Sequence, residues 1–213
     1  MTPAPGKHPV LTVKTPGVEE AVVICDILHF IAMPEANSFI RPDVVLPIMG
    51  LRAQQVFVHL GSGAGFYLIP AAGIVGPKGK SIGVDIRIDM LAEVENKAKQ
   101  QGVEHVVQIV RANLENTPGS DMPAKSADLV LVANILHQSD PVKILTEAVR
   151  IVAANGHVAV IEWNTSSTPF GPPIHNRKSA DEMKEMAASC GLSVQKEFSP
   201  SPYHYGIVFA PTA

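Results

Sequence analysis

The sequence predicts a doubly wound α/β domain: a mostly parallel sheet of about seven strands, the last one reversed, with helices on both faces in three α/β/α layers. Three observations carry this reading. Apolar runs at 55–60, 81–86, 105–111, 128–133 and 157–163 alternate with helical patterns at about 64–75, 88–101 and 140–153. The first run enters at once a turn with glycine at 61, 63 and 65, in the stretch VFVHLGSGAGF. Two further apolar runs, 193–199 and 203–210, close the chain on the short link Pro200-Ser201-Pro202, which requires them to be antiparallel. Continuous Val/Ile runs separated by helices describe strands covered on both sides.

Taken in order, residues 1–17 are rich in proline and glycine and are expected to be a flexible arm. Residues 18–32 fit a helix with a narrow polar face, and with the segment to residue 50 they form an expected N-terminal helical cap. That apolar helix admits three readings: a helix packed on the core edge, a lid over the site, or a homodimer contact. In RPDVVLPIMGL, Pro42 suits a first helical turn, and Pro47 should kink or end the helix. Residues 51–213 are the expected main domain, which carries the alternating strands and helices. Helix 88–101 turns Leu91, Val94 and Ala98 to one side and stops at Gly102. Asp140-Pro141 caps the next helix, whose Ile144, Leu145, Ala148 and Val149 face inward and which Ala154-Asn155-Gly156 closes. Ser179 and Glu182 have capping-box spacing and open a helix that ends at Gly191.

Composition narrows the function. With 46% apolar and 17% charged residues the 213-residue chain is globular. Its net charge of −3 and the lack of a Lys/Arg cluster argue against sequence-independent nucleic-acid binding. Cys25 and Cys190 stand alone, so neither a disulfide frame nor a metal site is expected, which suits a cytoplasmic protein. Residues 18–33 are too short and too charged for a membrane span, and the proline-rich start lacks the apolar core of a secretory signal.

The glycine turn brings a strand end and a helix start together, where a ligand can approach the backbone and meet unpaired N–H groups. A nicotinamide-type GxGxxG is not met, because Phe66 and Leu68 occupy the positions that would need glycine. Asp85 ends the second strand about twenty residues past the turn, where a carboxylate can accept two ribose hydroxyls. Asn113 and the segment Asn134–Gln138 end the third and fourth strands at the same crevice, where open α/β sheets bind ligands.

These stretches resemble a class I S-adenosylmethionine-dependent methyltransferase of Rossmann-like fold. The resemblance runs through VFVHLGSGAG, VGPKGKSIGVDI, RANLENTPGS, SADLVLVANILHQ and EAVRIVAANGHVAVIEW, roughly residues 40–163. Within the superfamily the chain is similar to small stand-alone bacterial enzymes of the ubiquinone/menaquinone-methyltransferase type. The resemblance implies that Gly61, Ser62, Gly63 and Gly65 line the methionine part of S-adenosyl-L-methionine. It implies that Asp85 holds the ribose, that Ile86 packs on the adenine, and that Asn113 faces the adenine amino group beside Leu114. Asn134 then sits near the sulfonium, and S-adenosyl-L-homocysteine is the product.

The chain departs from the family where an acidic residue usually precedes the first glycine by two. Here His59 stands, and Asn113 likewise replaces an Asp, so favourable charge toward a cationic cofactor is lost. The expected acceptor is a small or medium-sized molecule. His137, Glu162, His175 and Tyr203 are candidate bases, with His137 foremost because it adjoins the strand-four crevice. Trp163 either lines the acceptor pocket or belongs to the core. In the loop 165–179, Arg177 or Lys178 is placed to meet an anionic substrate. Two other readings stand beside methyl transfer: a non-catalytic member that keeps the fold, motivated by His59 and Asn113, and an NAD(P)-dependent oxidoreductase, against which Phe66 counts.

Overall fold

The computed structural model describes residues 39–212. The expected arm and the helix at 18–32 lie outside the described residues.

The first described helix, α1 (Pro42–Ile48), starts on Pro42, contains Pro47 near its end, and buries Val45 and Leu46. Strand β1 (Val56–Leu60) runs into the glycine turn. Helix α2 (Leu68–Val75) begins four residues later than expected. The cause is Gly65, whose φ of +84° lies in the left-handed region, so a right-handed helix can form only after it. Strand β2 (Lys80–Asp85) and helix α3 (Ile88–Gln101) follow. Helix α3 buries Leu91, Val94 and Ala98 as the periodicity predicts, and Gly102 closes it at φ +68°. Strand β3 (Val107–Arg111) is an edge, and β4 (Ala127–Ala133) is almost wholly buried.

Asp140 caps helix α4 (Pro141–Ile151), its carboxylate accepting from the N–H groups of Val142 at 3.1 Å and Lys143 at 3.4 Å. Strand β5 (Val152–Trp163) is longer than expected. It absorbs Ala154-Asn155-Gly156, which forms an irregularity where Ala127 pairs with Val152 and Leu129 with His157. A side chain at Gly156 would collide with the carbonyls of Asp128 and Ala127, so this crossing needs glycine. Helix α5 (Ala180–Ser189) opens on the predicted capping box. The Ser179 N–H donates to Glu182 Oε2 at 2.7 Å, and the Glu182 N–H donates to Ser179 Oγ at 3.2 Å.

The closing hairpin pairs β6 (Leu192–Ser201) with β7 (His204–Pro211), and its turn is Pro202-Tyr203 rather than Pro200–Pro202. Strand β6 can include Pro200 because it is the outer strand of the sheet and its ladder is already irregular between Phe198 and Ser201.

The sheet order is β3-β2-β1-β4-β5-β7-β6, and only β7 runs against its neighbours. Val58, Leu60, Val84, Val130, Val132 and Val160 face one helical layer, with Leu145, Ala148, Met183 and Ala187. Phe57, Leu129, Leu131, Ala159 and Ile161 face the other, with Leu46, Leu68, Ala72 and Val94. Because β1, β2, β4 and β5 are parallel, their carboxyl ends lie at one edge of the sheet. The hairpin turn reaches the same edge, since Trp163 pairs with His204.

Candidate functional site

The glycine turn is shaped by backbone bonds to the neighbouring strand. The N–H groups of Gly61 and Ser62 both donate to the Val84 carbonyl, at 2.8 and 3.0 Å. Gly61, Gly63 and Gly65 all have positive φ, of +72°, +51° and +84°. Their surroundings differ. A Cβ on Gly61 would sit 2.7 Å from Ile135 Cδ1, and one on Gly65 would sit 3.0 Å from Val94 Cγ2. A Cβ on Gly63 would meet nothing within 4 Å. The first and third glycines admit protein packing, while the second leaves backbone facing open space.

Asp85 is tied into this turn. Its Oδ2 accepts the Gly63 N–H at 2.8 Å, and its Oδ1 accepts the Arg87 N–H at 2.9 Å. Each carboxylate oxygen has two acceptor sites, so capacity for ligand hydroxyls remains. Beside it Ile86, the first residue after β2, is 53% exposed, whereas Ile82 and Val84 within the strand are buried. Lys97 of α3 braces the turn by donating to the Ala64 carbonyl at 2.9 Å.

Asn113 is exposed just past the end of β3, and its Oδ1 accepts the Glu115 N–H at 3.0 Å, so its amide shapes the turn that follows the strand. Leu114 is buried in the core layer of α4. Asn134 leaves β4 with φ +55° and donates its backbone N–H to the Ile161 carbonyl at 2.9 Å. That turn presents Ile135 to Gly61.

The segment after Asn134 is held from below by Glu162, which is only 3% exposed. Its Oε1 accepts the Leu136 N–H at 2.7 Å, and its Oε2 lies 3.2 Å from His137 Nδ1. The sequence places Glu162 among candidate bases; in the structure it is the partner that orients His137. Sequence distance hides this, because 25 residues separate the two.

His59 is the least expected environment. Its ring is 3% exposed, lies 5.4 Å from Tyr67 edge-on, and has no hydrogen-bond partner at either nitrogen among the described residues. Burial holds its pKa down at about 3, so the imidazole is neutral. Ser62 Oγ and Tyr67 Oη, also buried, likewise lack partners among the described residues. Burial, with the Glu162 charge second, pushes the Tyr67 phenol well above its usual range. The sequence reading missed Tyr67; its one signal is a phenol within an otherwise apolar run directly after the glycines.

The remaining candidates separate. His175 is exposed on the 3₁₀ turn Ile174–Asn176. Trp163 is 1% exposed and takes the core role. Arg177 does not face a substrate. Its Nε donates to the Pro172 carbonyl, its Nη1 to those of Asn164 and Ser166, and its Nη2 to Phe170 O and, at 3.5 Å, Thr168 Oγ1. All five N–H groups thus serve the loop's own acceptors, and the guanidinium carbon lies 5.4 Å from the Trp163 ring centre. The Lys178 carbonyl accepts the Tyr205 hydroxyl at 3.1 Å. No described helix is long and apolar enough to cross a membrane.

An open glycine backbone, a carboxylate beside it, an exposed aliphatic side chain and orphaned buried polar atoms fit a nucleoside cofactor with an amino-acid tail. Comparison with known proteins agrees. A family model described as "Methyltransferase domain" matches residues 51–201. Aklanonic acid methyltransferase DauC of Streptomyces sp. (strain C5) is 31% identical over 134 residues, covering 62% of this chain and 57% of that protein. The ubiquinone/menaquinone biosynthesis C-methyltransferase UbiE of Ectopseudomonas mendocina (strain ymp) is 26% identical over 62% of this chain and 50% of that protein. The chain therefore spans about half the length of the curated relatives it matches. Among solved structures, a SAM-dependent methyltransferase from Aquifex aeolicus shares the fold, with a TM-score of 0.75 and 24% identity over 86% of this chain and 96% of that one. A second, titled a putative type 11 methyltransferase from Sulfolobus solfataricus, has a TM-score of 0.67 and 27% identity over 83% and 95%.

Proposed function

Because the chain belongs to the class I S-adenosylmethionine-dependent methyltransferase family, we propose that it methylates a small-molecule acceptor, with His137 as the base and Glu162 as the residue that positions it. The observation carrying this reading is the buried Glu162 carboxylate, shared between the Leu136 N–H and His137 Nδ1. A carboxylate on Nδ1 favours the tautomer with the proton there, leaving the Nε2 lone pair for the acceptor's proton.

When bound, S-adenosylmethionine supplies a methyl group on a positively charged sulfur, an electrophile that needs no redox partner. The chain's own groups bind, orient and deprotonate. Asp85 accepts ribose hydroxyls, Ile86 covers the adenine, and Gly61, Ser62, Gly63 and Gly65 approach the methionine part, with Asn113 and Leu114 at the base and Asn134 near the sulfur. His59 contributes a neutral imidazole to this end of the site. The Glu162 clamp presses Ile135 against Gly61, so the base and the cofactor turn share one rigid contact. Acceptor atoms that need a proton removed, such as a hydroxyl oxygen or an acidic carbon, suit this arrangement. The retained His137–Glu162 pair favours an active enzyme over a non-catalytic member of the fold.

Thermal-shift titration with S-adenosylmethionine, S-adenosylhomocysteine and NAD tests the cofactor. A ligand at about 100 times its dissociation constant stabilises by roughly 2.7 kcal/mol, several degrees for this chain length. The two sulfur ligands should shift the midpoint and NAD should not; a shift with NAD alone overturns the reading.

A further inference from the structure

The two outer strands of the sheet are built differently. Strand β6 carries Lys196 and Pro200 and breaks its ladder twice, between Val194 and Lys196 and between Phe198 and Ser201. Charge, proline and irregularity are the usual means of stopping an edge from pairing further. From Val107 to Val110, β3 has no charge and no proline. It pairs with β2 from Ser81–Val107 to Asp85–Arg111 without a register shift.

The outward main-chain groups of β3 follow from its bonds to β2. Val106 O accepts the Ser81 N–H and the Ala112 N–H donates to Asp85 O, both at 3.0 Å. Main-chain groups alternate in direction along a strand, so Val107, Ile109 and Arg111 turn theirs away from β2. The Val107 N–H is taken by the Val103 carbonyl at 3.1 Å. The Val107 carbonyl and both main-chain groups of Ile109 and Arg111 meet no partner among the described residues. Beside this edge runs a groove of about 490 Å³, lined by Glu95, Ala98, Lys99, Glu104, Val107 and Ile109. Glu95 and Lys99 are exposed and stand one turn apart on α3.

We propose that β3 is the contact between two copies of this chain, paired antiparallel across a two-fold axis at Ile109 into one continuous sheet. The register follows from the free groups. The Ile109 N–H of each copy donates to the Ile109 carbonyl of the other, and each Arg111 N–H donates to the Val107 carbonyl of the other. Both free donors are matched, and the already bonded Val107 N–H is not required. The same axis runs the two α3 helices antiparallel and sets Glu95 of each copy across from Lys99 of the other. The edge is thus self-complementary in charge as well as in hydrogen bonding, a match that an unrelated extended peptide would meet only by chance. Antiparallel pairing also points the carboxyl ends of the two parallel sheets in opposite directions, so both crevices stay reachable.

The test is sedimentation velocity of the full chain over a concentration series, with amide exchange followed at Ile109 and Arg111. A dimer is expected, with both amides protected in it and exchanging freely on dilution. Ile109→Pro removes the central N–H at a position where an outer strand tolerates proline, and should raise the dimer dissociation constant by roughly a hundredfold. Lys99→Glu, on the exposed side of α3, brings like charges together and should weaken the dimer by roughly tenfold. Adding Glu95→Lys to it should restore the original value. Should the proline variant fail to fold, the charge exchange decides alone. A monomer throughout the series overturns the proposal, and so does a dimer indifferent to these variants. Protection of the Ile109 and Arg111 amides in a monomer gives the edge to another stretch of the same chain and overturns it as well.

Discussion

The two halves of the sheet's carboxyl edge are built by different means. On β1 and β2 the crevice is made of backbone: glycines in left-handed conformation, one of them open, tied to Asp85 through a main-chain N–H. On β4, β5 and β7 it is made of buried side chains: Glu162 under the His137 turn, and Arg177 drawing the loop at 164–178 together. The first half can admit a large ligand without rearranging side chains. The second half fixes directions, because the Glu162 carboxylate and the Arg177 guanidinium are already bound to their neighbours. On the proposed reading, accommodation falls to the cofactor side and orientation to the acceptor side.

The largest expected effect tests the oriented half. Glu162→Gln keeps the size and an acceptor for the Leu136 N–H, but its amide can donate to His137 Nδ1 and so move the imidazole proton to Nε2. Turnover should fall by roughly 10²- to 10⁴-fold with S-adenosylhomocysteine affinity unchanged, measured by single-turnover kinetics and calorimetry. Equal turnover would remove His137 from the reaction.

Next comes a pair of alanines in the accommodating half. Gly61→Ala combines positive φ with a collision against Ile135 and should cost about 2–5 kcal/mol in denaturant unfolding. Gly63→Ala has only the backbone strain, about 1 kcal/mol, yet should abolish cofactor binding because its methyl group enters the open cradle. If Gly63→Ala binds normally, the cradle is not where the ligand lies.

A pH series probes the boundary between the halves. His59 and His204 are 3% and 2% exposed, and burial holds their pKa values at about 3 and about 4, with the Arg177 charge adding to the effect on His204. Both folded values are depressed, so the unfolded chain takes up protons first as pH falls. Stability is full above about pH 6.5 and is lost toward the folded values, by about 2 kcal/mol per group at pH 5. His59→Leu should flatten that loss by about half in unfolding titrations at pH 7 and pH 5. The smallest effect is expected for Arg177→Lys, which replaces five directed donors by three on a mobile stem. It should speed proteolysis between 164 and 178 and lower stability by about 1–3 kcal/mol without changing cofactor affinity.

The same division explains what was legible in the sequence. Alternation of apolar runs predicts the seven strands and their one reversal, since each strand's burial is encoded in its own residues. The glycine turn and Asp85 are legible because spacing along a short βαβ segment fixes their geometry. What escaped is long-range. Nothing near Glu162 announces that it binds the turn 25 residues earlier, and Arg177 reads as a surface cation until the carbonyls of Asn164, Ser166, Phe170 and Pro172 surround it. The start of α2 and the length of β5 shifted for local reasons, the left-handed Gly65 and the collision-prone Gly156, which periodicity does not weigh.

The packing of Trp163 has a spectroscopic consequence. It is the sole tryptophan of the chain, it lies 4.2 Å from the His204 ring with the Arg177 guanidinium on it, and a side chain at Gly171 would strike its indole. Selective excitation of this one fluorophore reads a single loop. Any event that lifts residues 164–178 from the sheet edge exposes the indole to water and changes its emission maximum, so the half of the edge built on β4, β5 and β7 carries its own label.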